Sequence, residues 1–247
     1  MGETKKITLS YLCENAVLVE WPETICPQQH QQIMYFQQQV ATTLTDLIID
    51  SVASYTSLIL YYHFDKINNA QLDKLLKAFI KDLPSISSTQ QSKIIEIPVY
   101  YGHDSGWDLE FVAEQTSLSI EQIIQYHSQT TYHAYALGFT PGFCYLASLP
   151  KKLQLPRRSS PRLSIPQGAV AIAEQQTAVY PISSPAGWHV IGQTPMPMFS
   201  VKECNDTTTF LPTINVGQQV RFKAISQQHF LDLGGIVNGE STKERTT

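Results

Sequence analysis

Arginine is scarce in this chain, with five in 247 residues. Charge as a whole is thin: 17 lysines and arginines and 21 aspartates and glutamates make up 15% of the residues and leave a formal net charge of −4. A pI near 6.0 excludes a general nucleic-acid binder, which needs a basic face to meet phosphates. Long apolar runs are missing too. No stretch approaches the ~20 residues a membrane helix requires, and the longest, Leu58 to Leu60 with flanking tyrosines, is strand length. Met1-Gly2-Glu3-Thr4-Lys5-Lys6 leads into alternating residues, so no secretory leader is expected. The four cysteines, Cys13, Cys26, Cys144 and Cys204, form no CxxC or metal-type spacing. They read as reduced thiols of a cytoplasmic protein, with Cys144 buried and inert. His103, Asp104 and Asp108 are close in sequence but lack a third-ligand spacing, so no metal site is expected. A Gly-x-x-x-x-Gly-Lys phosphate loop is absent as well.

What is present is the composition of a globular protein, 43% hydrophobic, long enough for one large domain or two modest ones. Residues 7–85 read as a compact α+β unit. Ile7 to Leu12 alternates with period two, and Ala16 to Trp21 follows a turn at Glu14-Asn15. Pro27 opens a helical stretch, since its missing N–H would be unpaired at that position anyway. The glutamines Gln28-Gln29, Gln31-Gln32 and Gln37 to Gln39 read as a solvated face of that helix. Two strands, Leu47–Val52 and Ser57–Tyr62, precede a second helix carrying Leu72, Leu75, Leu76, Phe79 and Ile80 behind an Asn68-Asn69 cap. This order suggests helices on one face of an antiparallel sheet. Residues 84–93 form a polar linker.

Beyond it come a strand from Ile94 to Tyr101 and a short helix headed by Asp108. A second helix follows, whose Ser119 and Gln122 make a capping box. Short strands then alternate with Pro and Gly turns around Ala134, Ala169–Ala173, Ala178–Tyr180, His189–Ile191, Met198–Val201 and Gln219–Ala224, the pattern of a small β-barrel with two embedded helices. These readings divide the chain into an α+β domain at 1–86, a barrel at 94–228 and a flexible tail at 229–247.

Rigid turns and cations concentrate between Gly138 and Gly192, where Arg157, Arg158 and Arg162 fall within six residues. Guanidinium forks bind carboxylate and phosphate at two points, so the group reads as an anion or partner site or as a basic, Pro-rich surface loop. The ordered elements are Gly138-Phe139, Pro141-Gly142-Phe143, Tyr145-Leu146, Pro156-Arg157-Arg158, Pro161-Arg162, Pro166, Gly168, Gln176-Thr177, Tyr180-Pro181, Ser184-Pro185, Gly187-Trp188 and Ile191-Gly192. Upstream stand Tyr101-Gly102, Asp108-Leu109, Val112-Ala113, Leu118-Ser119 and His127.

Taken together, this run closely resembles the family that contains the B-type subunit of 5-oxoprolinase, the bacterial sporulation-kinase inhibitor, and the first subunit or domain of allophanate hydrolase and urea carboxylase. The resemblance implies an α+β chain with a ferredoxin-like N-terminal α/β sandwich followed by a cyclophilin-like C-terminal β-barrel. It also implies membership of a heteromeric complex that opens 5-oxo-L-proline to L-glutamate, with ATP as co-substrate. The implied partners are a homologous cyclophilin-like subunit of the C type and a third subunit of the A type, with no nucleic acid and no membrane. The alternatives within the family are a protein-binding inhibitor of a histidine kinase and a urea carboxylase or allophanate hydrolase-related subunit. The chain departs from the family pattern at Cys144, at Glu174 and Ala186 where glycine is expected, and at Gln193 where arginine is expected.

The site expectations follow. Arg157, Arg158 and Arg162 bind substrate anions or a partner's carboxylates, with Arg158 also catalytic. His127 is either an acid–base catalyst or a packed, hydrogen-bonded histidine. Gln176, Thr177 and Tyr180 either orient an amide substrate or close a strand bend. Asp108 reads as a helix N-cap, and Trp188 as a core or interface anchor.

Overall fold

The computed structural model describes residues 6–84, 93–204 and 207–237. The chain divides into two compact units, residues 1–91 and 92–247. Residues 85–92 of the expected linker, and 238–247 of the expected tail, lie outside the described residues.

The first unit runs β1 (Thr8–Cys13), β2 (Ala16–Glu20), α1 (Pro27–Thr43), β3 (Ile48–Ala53), β4 (Ser57–Tyr62) and α2 (Asn69–Lys81). Its four strands form one antiparallel sheet in the order β1-β2-β4-β3. Pairing Val17 with Leu60 and Val19 with Leu58 gathers the alternate apolar residues on one face. That face joins a single core with Ile33, Phe36 and Val40 of α1 and Leu72 and Leu76 of α2. Each such side chain contributes roughly 1.5–3 kcal/mol on full burial. Asn68 and Gln71 close a reciprocal capping box at the start of α2, which satisfies two of the backbone N–H groups a helix start leaves open. The glutamines of α1 depart from expectation. Gln29 donates to the carbonyls of Pro22 and Thr24, and Gln37 reaches Ser51 Oγ at 2.9 Å. Their length lets them tie neighbouring segments to the helix, not merely face water.

The second unit runs β5 (Ile95–Val99), α3 (Leu109–Thr116), α4 (Ile120–Gln129), β6 (Thr131–Leu137) and β7 (Cys144–Ala147), then a 3-10 turn at Lys151–Leu153. It continues through β8 (Arg162–Ile165), β9 (Ala169–Ala173), β10 (Gln176–Val179), β11 (Ser184–Ala186) and β12 (His189–Gln193). The last elements are β13 (Phe199–Cys204), β14 (Thr207–Pro212), β15 (Gln219–Ala224) and α5 (Gln227–Asp232). Seven strands make one sheet in the order β12-β9-β10-β7-β6-β15-β5. Its two edges meet where Tyr100 and Gln193 exchange backbone hydrogen bonds of 2.9 Å each, so the sheet is a nearly closed barrel. All its pairings are antiparallel except β5 with β15.

Strand β9 shows how the sequence builds both sides of this wall. Its Val170 and Ile172 point into the barrel core with Ile97, Tyr132 and Phe222. Ala169, Ala171 and Ala173 point the other way, into a second apolar cluster. The ribbon of β8 and β11 contributes Ile165 and Ala186 to that outer cluster. Helix α5 corrects the expectation of a tail from residue 229. Ser226 accepts a hydrogen bond from the His229 N–H, Phe230 is fully buried, and the Gly235 N–H closes onto the Phe230 carbonyl. One buried residue in six gives no apolar period to read.

Candidate functional site

The loop from Pro156 to Arg162 is fastened at several points to the chain between Gly187 and Val190. Arg158 N–H donates to the Gly187 carbonyl at 2.8 Å, and His189 Nε2–H donates to the Pro156 carbonyl at 2.9 Å. The central tie is Asp108. Its position heads α3, yet its side chain makes no capping bond, which corrects the N-cap expectation. The carboxylate turns instead to the loop. Oδ1 accepts from Arg158 Nη1 and from Arg162 Nη2 at 3.0 Å, while Oδ2 accepts from Arg162 Nη1 and the Val190 N–H, both at 2.7 Å. The physical reason is burial: the Asp108 side chain is only 3% exposed, and a carboxylate there needs charged and backbone donors more than an exposed helix start does. The Arg162 guanidinium also lies 5.4 Å from the Trp107 ring centre, a cation–π contact.

The three arginines therefore split. Arg158 and Arg162 point inward onto one carboxylate, with side chains 23% and 13% exposed. Arg157 points outward and pairs with Glu174 at 3.3 Å, both more than half exposed. Glu174 occupies the turn between β9 and β10 with φ 53°. That left-handed backbone is the reason a glycine suits this position.

An aromatic face continues from this knot. Phe143, Tyr180 and Trp188 are buried over the outer alanines, with Trp107 and Tyr145 packed against them. Phe143 stands edge-on to Tyr145, Tyr180 and Trp188 at centroid distances of 4.8, 5.1 and 6.0 Å. Burial, and then the neighbouring Tyr145 phenol, push the Tyr180 hydroxyl up to about 12, partly opposed by Arg157. Phe139, at the edge of this face, is 62% exposed with φ 70°. The turn that follows, Thr140-Pro141-Gly142-Phe143, closes through Phe143 N–H to the Thr140 carbonyl at 3.0 Å, with Gly142 at φ 80°. Only glycine fits there, because a Cβ would stand 2.6 Å from the Met198 carbonyl oxygen. Phe139 and Pro141 also line an open cleft of about 420 Å³ whose far wall is Phe210 and Pro212 of β14.

His127 is elsewhere, inside the barrel. It is fully buried, and Phe222 stacks on it at 4.4 Å. Tyr101 hydroxyl contacts Nδ1 at 2.7 Å, Nε2 contacts Thr177 Oγ1 at 2.9 Å, and Thr177 donates to the Ala171 carbonyl at 3.1 Å. Thr177 has one hydroxyl proton, so the ring carries its proton on Nε2 and accepts from Tyr101 at Nδ1. Burial pushes the His127 pKa down to about 3. The ring is a neutral packing element with both nitrogens engaged, and the acid–base expectation gives way to the packed alternative. Thr177 belongs to the same interior chain, whereas Gln176 is part-exposed at the start of β10. Burial also raises the Cys144 thiol to about 12, far from a reactive thiolate. Gln193 is buried at the barrel seam, where its amide donates to the Gln167 carbonyl at 2.8 Å.

Sequence reasoning missed the role of Asp108, the Val190 N–H and the Trp107 ring. The signal available was an acidic residue flanked by Trp107 and Leu109, apolar neighbours that foretell burial. Among the described residues no helix is long and apolar enough to cross a membrane, and no group of His, Cys, Asp and Glu is arranged to hold a metal.

A profile of the carboxyltransferase domain, subdomain C and D, matches residues 7–210. The B-type 5-oxoprolinase subunit of Bacillus subtilis (strain 168) is 33% identical over 240 residues, covering 92% of this chain and 96% of that protein. Its counterpart of the same type in Escherichia coli O157:H7 is 49% identical over 109 residues, 44% of this chain and 50% of that one. Among solved structures, TTHA0988 is 30% identical with a TM-score of 0.70; the match takes 85% of this chain but only 40% of that one. The urea carboxylase of Kluyveromyces lactis, 15% identical, shares the fold with a TM-score of 0.72 over 94% of this chain and 23% of its own.

Proposed function

This chain belongs to the family of the carboxyltransferase domain, subdomain C and D, and from that premise we propose that it is the B-type subunit of an ATP-dependent 5-oxoprolinase. The reaction opens the lactam of 5-oxo-L-proline to L-glutamate. A five-membered lactam amide is stable, so ATP serves to phosphorylate its oxygen and make the ring hydrolysable, chemistry that requires fixed cations and N–H donors around anionic oxygens. The observation that carries the reading is the convergence of the ordered motifs on one wall of the barrel. Arg158 and Arg162 there surround a single buried carboxylate, and Trp107, which contacts Arg162, joins them to the Phe143, Tyr180 and Trp188 cluster. Arg158 and Arg162 serve as anion donors, Arg157 with Tyr180 and Gln176 as the neighbouring polar rim, and His127 with Thr177 as internal support. A C-type subunit of related barrel fold and an A-type subunit complete the enzyme, and the complex works in the cytoplasm.

The same reading takes the second unit as a cyclophilin-like barrel and the first as a ferredoxin-like sandwich. The order β1-β2-β4-β3, with helices after β2 and β4, supports the latter, taking β1 as the closing edge strand of such a sandwich placed first in the unit. The test is co-expression with the partner subunits and measurement of ATP-dependent glutamate release from 5-oxo-L-proline. Release that falls about tenfold or more in Arg158→Gln is expected, from the loss of one charge-assisted contact. No release by the intact complex would sink the reading. A second reading, a module that docks on a histidine kinase, is favoured by one observation: Leu163 and Phe139 stand 92% and 62% exposed on this wall. Inhibition of kinase autophosphorylation by the purified chain would support it.

A further inference from the structure

Two phenol hydroxyls stand unclaimed on the outer aromatic wall. Tyr145 and Tyr180 are both edge-on to Phe143, at 4.8 and 5.1 Å, and both meet Trp188, at 6.3 and 6.5 Å. Two shared rings therefore fix both tyrosines. The main chain of Tyr180 is held as well, its N–H donating to the Ala169 carbonyl and its carbonyl accepting from the Gly168 N–H. Neither hydroxyl makes a hydrogen bond among the described residues, and neither is sealed from solvent. A packed tyrosine ordinarily brings its O–H to a partner, as Tyr62, Tyr101 and Tyr132 do in this chain. Raised to about 12 by burial and then by the Tyr145 phenol, the Tyr180 hydroxyl stays a neutral donor at physiological pH. Arg157, which opposes that rise, is paired with Glu174. Phe139 supplies the adjoining surface, 6.3 Å from Tyr180 and edge-on to it. Its left-handed backbone is one that a bulky side chain rarely takes, and such outliers gather at ligand sites. Its exposed ring also lines the open cleft beside β14, which gives a ligand a way in.

We propose that Tyr145 and Tyr180 form the receptor for an amide carbonyl, and that its ligand is the lactam group of a five-membered cyclic amide. The carbonyl oxygen accepts from both hydroxyls, and the flat ring lies on Phe139. This rests on the reading of the chain as a 5-oxoprolinase subunit, and it names the residues that recognise the amide end of the substrate. An amide oxygen carries two lone pairs, so it takes two donors at once. The surroundings suit a neutral group. A carboxylate or a phosphate would give up its hydration for uncharged donors and apolar rings, which is costly without a counter-charge. A ring without the carbonyl would leave both hydroxyls without an acceptor. The two tyrosines thus set specificity for the amide.

The experiment is calorimetric titration of the reconstituted complex with 5-oxo-L-proline and with its 5-thioxo analogue. In the analogue sulfur, a weak acceptor, replaces the lactam oxygen while ring and carboxylate stay the same. The wild type is expected to bind the oxygen compound about tenfold more tightly, the scale of two neutral hydrogen bonds. Tyr145→Phe and Tyr180→Phe each keep the ring and remove a hydroxyl that no described residue uses, so folding is unchanged. Each single variant lowers the preference to about threefold, and the double variant brings it to about one. Affinity for the thioxo compound stays at the wild-type value throughout, whereas disturbed packing would weaken both ligands together. A wild-type preference below about threefold overturns the proposal. So does a double variant that still prefers oxygen, a double variant that loses both ligands equally, or a complex that binds neither compound. ATP-dependent glutamate release is read on the same preparations. Discrimination without release overturns the proposed function and leaves this inference standing; release without discrimination does the reverse.

Discussion

Two buried polar networks lie on opposite sides of the same barrel wall. Inside, Tyr101, His127, Thr177 and the Ala171 carbonyl form a chain in which donors and acceptors are matched and nothing is charged. Outside, Asp108 holds two guanidiniums and a backbone N–H, and the network is built of charged groups. Both look like sites when read as sequence, since each contains residues able to do chemistry. What separates them is charge and exposure. A closed neutral network specifies packing and resists entry of anything else, whereas guanidiniums at partial exposure keep donor surface within reach of solvent.

The comparison can be broken most forcefully at Asp108. Replacing it with alanine leaves two guanidiniums facing one another without their anion, and is expected to destabilise the chain by about 3 kcal/mol, the range seen when one partner of a buried pair is removed. Chemical denaturation monitored by fluorescence measures it, and a loss below about 1 kcal/mol would mean that water already does the carboxylate's work. A more gradual effect probes the buried histidines through acid. His127 and His133 have pKa values lowered by burial from 6.5 to about 3 and about 4, so the unfolded chain takes up protons that the folded chain refuses. The stability they support is complete above pH 6.5 and declines as pH falls toward 4. Each histidine contributes a slope of about 1.4 kcal/mol per pH unit. Denaturant midpoints measured between about pH 7 and pH 4 should follow that slope, and His127→Gln should flatten it by one proton.

The smallest expected change sharpens the contrast between held and merely neighbouring arginines. Glu174→Gly relieves a left-handed backbone that costs a non-glycine residue about 1–2 kcal/mol. It sacrifices only an exposed pair worth about 0–1 kcal/mol. A gain of about 0.5–1 kcal/mol in thermal or chemical unfolding is expected. A net loss would place Arg157 among the anchored cations with Arg158 and Arg162.

Much of the fold was legible because it rests on local rules. The Ser119–Gln122 and Asn68–Gln71 boxes mark the two helix starts, Ser57–Tyr62 is a short apolar and aromatic run of strand length, and Pro27 opens α1. Strands β7 and β14 escaped notice. Cys144–Ala147 directly follows a Pro-Gly turn, and Thr207–Pro212 carries three threonines in a row, so neither shows the period a strand would. The candidate site was legible in its parts list but not in its wiring. The arginines announced themselves by spacing. Their counter-ion lies 50 and 54 residues upstream, and nothing short of the barrel's pairing could reveal it. His127 shows the opposite limit: the capped helix was correctly placed, yet whether its histidine faced ligand or core depended on Tyr101, Thr177 and Phe222, which three other segments deliver.

The one parallel pairing in the barrel, β5 with β15, carries a consequence for how the unit comes into being. Ile95 lies beside Val220 and Val99 beside Ala224, so the strand made first waits for the strand made last. During synthesis β5 has no lateral neighbour on that side until residue 224 has emerged, and until then the seam bridge between Tyr100 and Gln193 is its tie to the sheet. Contacts this distant along the chain impose a large loop-closure requirement and slow the search for the closed state. A nascent chain cut short just before Gln219 would lose more than one strand: it would expose two unpaired edges and the interior behind them. The barrel is thus completed by its first and last strands, and its birth is gated by the arrival of β15.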